Sequence, residues 1–161
     1  MGELIMLFGA ELTHMYFLLD DKILTLKNGD EYPYWKIPKA VKTSNIEYGD
    51  YIGRVIYGYL KLPPSEYDLV MLADLDVTNK EFAFSDKEKE FDRIKHLLVK
   101  LSPKAAESYL PVLKKHDKFV LHEIDSIYQT DVIESGSLKV RNFINSALYT
   151  QIYRNKMIQG R

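Results

Sequence analysis

With 161 residues, 46% of them apolar and 28% charged, and only 8 Gly and 6 Pro, the chain has the composition of one globular domain able to bury a real core, outside the disordered and fibrous classes. It contains no cysteine, which excludes disulfide staples, thiolate catalysis and cysteine-based zinc or iron–sulfur centres. The formal charge of -1 conceals a segregation: residues 1–85 carry 8 basic and 13 acidic side chains, residues 86–134 carry 9 and 10, and residues 135–161 carry 5 and none.

The opening MGELIMLFGAEL has an acidic residue at position 3 and an apolar run too short for a signal peptide. No later run approaches the roughly 18 apolar residues of a membrane span. The expectation is a soluble, cytoplasmic protein with no membrane partner.

The first half punctuates like a sheet. Ile5–Ala10 and Met15–Leu19 read as strands. In KILTLKNGDEYPYWKI, Asn28-Gly29 between two β-rich runs predicts a hairpin of 22–28 with 31–37, because both residues tolerate the positive φ of a tight turn. Pro33 lacks an N–H and places the second strand at an edge. GDYIGRVIYGYLKLP holds Gly49, Gly53 and Gly58, each costing about 1 kcal/mol against Ala in a helix. Read as a strand it alternates, with Ile52, Ile56 and Leu60 on one face and Tyr51, Val55, Tyr57 and Tyr59 on the other, and the strand is the expectation. YDLVMLADLDV is a continuous apolar run, predicting a central strand, with KEFAFS returning beside it.

After Ser85 the period changes. Ser85 and Glu88 match a capping box, and Phe91, Ile94, Leu98 and Leu101 recur at helical spacing, predicting a helix over 86–101. Ser102-Pro103 starts a second helix over 103–115, with proline at its permitted first position. Phe119, Val120, Ile124, Ile127 and Tyr128 fall on one arc and predict a third helix. Ser137 caps the last, over 138–158. The expected fold is a single α+β domain spanning 1–161. Its β-rich half (1–85) would hold a mostly antiparallel sheet or partial barrel of about six or seven strands, and its helical half (86–161) about four helices.

Three groups of residues carry the functional expectations. The terminal helix is amphipathic: Val140, Phe143, Ile144, Ala147, Leu148 and Ile152 span one face, and Lys139, Asn142, Ser146, Tyr149, Tyr153 and Lys156 the other. With Arg141 and Arg154, that second face offers cations interleaved with rings, the surface that nucleic-acid backbones and unstacked bases favour. Seven of the twelve tyrosines and the single tryptophan lie between Tyr32 and Tyr67. On the assumed strand Tyr51, Tyr57 and Tyr59 supply an aromatic sheet face of the kind protein partners use. In ADLDVTN, alternation directs Asp74 and Asp76 to one side, where two carboxylates could share a divalent cation. His116 and His122 cannot point at one metal from one helix, and His14 and His96 carry no signal. No nucleophile elbow, phosphate-binding loop, zinc-protease or dinucleotide motif occurs.

These features predict a small non-catalytic binding or regulatory protein with no cofactor. Its partner would be a protein, engaged through Tyr51, Tyr57 and Tyr59, through Lys139, Arg141, Tyr149, Tyr153, Arg154 and Lys156, or through both. The alternatives are nucleic-acid binding by the terminal helix, where an overall pI near 6.4 argues for protein first, and a metal-dependent nuclease or phosphoesterase using Asp74 and Asp76.

Overall fold

A computed structural model describes residues 10–27, 35–42, 46–79, 84, 88–115, 119–123 and 138–159. Among them are seven strands and three α-helices: β1 (Glu11–Leu19), β2 (Lys22–Lys27), β3 (Trp35–Lys36), β4 (Lys39–Lys42), α1 (Tyr48–Leu60), β5 (Tyr67–Asp76), β6 (Arg93–Leu101), α2 (Pro103–Lys114), β7 (Phe119–Glu123) and α3 (Leu138–Gln159). Short 3₁₀ turns at Pro64–Glu66 and Glu88–Glu90 lead into β5 and β6. The class is α+β.

All seven strands form one open sheet with the order β3-β2-β1-β6-β5, while β4 pairs with β1 and β7 with β2. Its centre is a parallel pair, β1 against β6, in register from Glu11↔Arg93 to Leu18↔Lys100. The other pairings are antiparallel. Both faces of the central pair are covered. On one, Met15, Phe17, Leu19, Leu97 and Val99 pack under Ile52, Ile56 and Leu60 of α1 and Ala105, Ala106 and Leu113 of α2. On the other, Tyr16, Leu18, Ile23 and Leu98 pack under Ile144, Leu148 and Ile152 of α3.

Several expectations hold in detail. Ser102 caps α2 by accepting from the Ala105 N–H at 3.1 Å, with Pro103 at the first helical position. The last helix begins and ends within a residue of its predicted limits. β2 and β3 are antiparallel neighbours, as the predicted hairpin required, but only through Leu26↔Lys36 and Lys27↔Trp35, a register that leaves residues 28–34 between the strands where a two-residue turn was expected; Asn28-Gly29 and Pro33 lie outside the described residues. So do Ile5–Phe8, Ser85 and Ser137.

Others fail for identifiable reasons. Residues 48–60 form a helix, not a strand. Ile52, Ile56 and Leu60 recur every fourth residue, a spacing that keeps side chains on one side of either element, and the glycine penalties are outweighed by burying all three. The Glu47 carboxylate accepts from the Gly49 and Asp50 N–H groups, 3.0 Å each, and Lys61 ends the helix in the left-handed region at φ 57°. Residues 93–101, expected to be helical, are the central strand β6. Leu97, Val99 and Leu101 serve one face and Ile94, His96 and Leu98 the other, so burial on both sides erases the alternation that marks a strand. β5, expected at the centre, is an edge strand instead, with Leu69 and Met71 exposed. Phe119–Glu123 is strand β7, added beside β2, where a third helix was expected. Strands and helices therefore interleave along the chain, and the predicted succession of a sheet followed by four helices does not hold.

Candidate functional site

The parallel pairing of β1 with β6 puts their carboxyl ends side by side, and a cleft of about 570 Å³ opens there. Leu18 and Asp20 come from the end of β1 and its turn, Lys100 from β6, Asp68 from the start of β5, and Ser102 and Glu107 from the first turns of α2. Leu18 and Asp68 both stand opposite Lys100 in their ladders, so the three share one face of the sheet. Asp20 is held in the left-handed region at φ 61°, where the β1–β2 turn reverses the chain. The rim is fixed by Ser102, whose hydroxyl donates to Glu66 at 3.1 Å and whose N–H donates to the Glu66 carbonyl at 2.8 Å. The cleft thus brings carboxylates and one ammonium group around a space large enough for a small molecule. Sequence reasoning did not assemble this cleft: Ser102 was legible only as the start of α2, and only the crossover connections gather it with Asp20, Asp68, Lys100 and Glu107.

A second place where a site would be sought is the seam between α1 and β4. It is closed. The Tyr51 hydroxyl donates to the Val41 carbonyl and the Tyr59 hydroxyl to the Lys39 carbonyl at 3.3 Å. At the start of the helix the Tyr48 hydroxyl is hydrogen-bonded to Thr13 at 2.9 Å, and its ring lies 4.0 Å beneath the Lys95 ammonium group, which also bonds Glu11 at 3.1 Å. Burial first, with Glu11 and Asp74 adding to it against the Thr13 bond, pushes the Tyr48 hydroxyl up to about 12. These tyrosines are fastenings between helix and sheet.

The sequence-predicted residues fall as follows. Tyr51, Tyr57 and Tyr59 lie on α1, so the aromatic sheet face does not exist; Tyr51 and Tyr59 are half-buried and bonded, and Tyr57 is 54% exposed. On α3, Tyr149 and Tyr153 are 48% and 57% exposed and Arg154 is exposed, as the amphipathic reading required, but so is Phe143 from the apolar face. The side chains of Lys139, Arg141 and Lys156 lie outside the described ones. Asp74 and Asp76 do point the same way, to separate partners: Asp74 accepts from the Arg93 guanidinium at 2.8 Å, and Asp76 accepts from the Thr78 hydroxyl and N–H at 2.7 and 2.9 Å. The two Thr78 bonds, with Arg93 assisting, hold the Asp76 carboxyl below its usual range. Among the described residues no three His, Cys, Asp or Glu side chains gather so as to hold a metal ion, and no helix among them is long and apolar enough to cross a membrane.

No protein-family model and no curated protein sequence matches the chain. Among solved structures, a mutT/nudix family protein from Listeria innocua superposes with a TM-score of 0.59 at 12% identity, over 92% of this chain and 97% of that one. The Ap4A hydrolase of C. elegans (TM-score 0.49, 14% identity, 89% of this chain and 96% of that one) and a NUDIX-family hydrolase from Clostridium perfringens (0.46, 9%, 88% and 97%) resemble it more loosely. The first likeness shows the fold: over 92% of its length the chain follows the backbone of that mutT/nudix protein. It overturns the expectation of a non-catalytic binding or regulatory protein, which rested on the basic terminal helix and the lack of a catalytic motif as well as on an aromatic sheet face that is in fact helix α1.

Proposed function

We propose that the chain is a hydrolase acting on a small molecule held in the cleft at the carboxyl ends of β1 and β6. The observation that carries this reading is the fold shared with the mutT/nudix protein over nearly the whole of both chains. Hydrolysis is also the activity in the names of the two looser neighbours, and it suits the cleft's own side chains. A carboxylate takes a proton from water as the water oxygen bonds to the phosphorus or carbonyl carbon, a neighbouring ammonium group steadies the negative charge that develops there, and the bond to the leaving oxygen breaks as the proton is passed on to it. Asp68 and Lys100, facing each other across the β5–β6 ladder, are the pair we assign to those roles, with Asp20 and Glu107 positioning the substrate at the rim. A divalent cation does not fit the described residues, which nowhere gather three ligating side chains.

The test is a hydrolysis panel of nucleoside polyphosphates, sugar phosphates and carboxylic esters, run with and without Mg²⁺ or Mn²⁺. Turnover of at least one class is expected, falling about 10²–10⁴-fold in Asp68→Asn and comparably in Lys100→Met. No turnover under any condition, or turnover that neither substitution changes, overturns the reading.

A further inference from the structure

On the α3 side of the sheet, between the apolar cluster under α3 and a smaller one formed by Leu12, Phe84 and Ile94, the interior contains ionisable groups. His14 and His96 are register partners of the parallel pair. Their rings stack with centroids 5.0 Å apart and planes 16° from parallel. The Tyr16 hydroxyl and His96 Nδ1 form a 2.8 Å hydrogen bond. Glu88, from the turn that leads into β6, places its carboxylate 3.7 Å from His14 Nε2. All are buried: His14 2%, His96 0%, Tyr16 0% and Glu88 4% exposed. His96 Nε2 finds no hydrogen-bond partner among the described residues. β5 contributes Ala73 opposite His96, and α3 contributes Ile144, Leu148 and Ile152 to this face, so Glu88 is the one carboxylate among the described residues that faces the two imidazoles.

One carboxylate can balance one imidazolium. A second proton would place two like charges in stacked, fully buried rings with no second carboxylate facing them among the described residues, and such a charge is housed at least cost if the site opens. The piece able to move is the Glu88 turn. Its backbone is held, among the described residues, by Phe91 N–H to Glu88 carbonyl at 3.1 Å, Asp92 N–H to Ala10 carbonyl at 3.0 Å and Val77 N–H to Asp92 carbonyl at 3.1 Å, whereas β1 and β6 are fixed by their whole ladder. We propose that His14, His96, Tyr16 and Glu88 form an acid-released latch, which holds the 88–90 turn and the junction of β5 with β6 closed while His96 is neutral and frees them when it takes up a proton.

Burial, with His14 adding to it, pushes His96 down to about 3, against the pull of Glu88. The sign follows. The closed state binds fewer protons than the open one, whose histidine titrates near 6.5. The latch is therefore fully held above that value and weakens as pH falls from about 6.5 toward 3, the opening constant rising up to tenfold per pH unit.

Amide hydrogen exchange on the full chain, corrected for intrinsic rates, tests this. Between pH 7.5 and 5 the Val77, Phe91 and Asp92 amides are expected to lose at least tenfold protection while the β1–β6 ladder amides keep theirs. His96→Gln, which cannot take up the proton, is expected to abolish that dependence. Should this variant fail to fold, the imidazole resonances of the unaltered protein serve instead, His96 titrating in step with the opening of the three amides. Protection of those amides that does not change with pH, or that falls equally with and without His96, overturns the proposal. So does a His96 ring that titrates while they stay protected.

Discussion

The two faces of the sheet are equally buried and differently made. Under α1 and α2 the interior is apolar except for Thr13, buried and bonded to the Tyr48 hydroxyl, and the other hydroxyls sit at the margin, with Tyr51, Tyr59 and Tyr109 donating to carbonyls of Val41, Lys39 and Leu60. Under α3 the polar atoms lie inside, in the stack of His14, His96 and Tyr16. A hydroxyl at the margin can exchange its partner for water, so its bond is nearly neutral in the balance of folding, whereas a polar atom in the interior has no substitute. One face should therefore answer chiefly to lost volume and the other to lost partners and to pH.

Three substitutions break or sharpen that contrast. The largest effect belongs to the dry face: Phe17→Ala removes a fully buried ring from the centre of the main cluster and is expected to cost about 3–5 kcal/mol in denaturant unfolding, with no added dependence on pH. Next comes Tyr16→Phe, which strands the His96 Nδ1 bonded at 2.8 Å. A loss of about 1–3 kcal/mol is expected, although hardly any volume changes. The same edit on the opposite face, Tyr59→Phe, removes a bond to the Lys39 carbonyl near the surface and should cost no more than about 0.5–1 kcal/mol. Equal losses for the two tyrosines would erase the distinction between the faces.

Legibility in the sequence followed how local each signal was. α2 could be read because Ser102 and Pro103 carry its start in two adjacent residues, and α3 because its buried set, Ile144, Leu148 and Ile152, keeps a four-residue spacing over a long segment. α1 carried that same spacing in Ile52, Ile56 and Leu60, but with three glycines and alternating tyrosines beside it the pattern suited a strand equally. β6 misled: because both its faces are covered, its apolar residues show no alternation, and Ile94, Leu98 and Leu101 fall at helical spacing. The cleft and the histidine cluster were invisible because neither exists within any one stretch: Asp68 meets Lys100, and His14 meets His96, only once β1, β5 and β6 lie together. The aspartate pair was visible and misleading, its two carboxylates being engaged by Arg93 and Thr78.

The central parallel pair also dictates when the molecule can assemble. β1 borders β6 along nearly its full length, yet β2, β3, β4, α1 and β5 all intervene in the chain. A nascent polypeptide emerging from the ribosome would expose the apolar run Met15–Leu19 of β1 until its distant neighbour is synthesised. Closing so long a loop makes for slow maturation and a window in which aggregation competes. The earliest stabilising event open to this chain is thus the local hairpin of β1 with β2, which shelters one flank of that strand while the other waits.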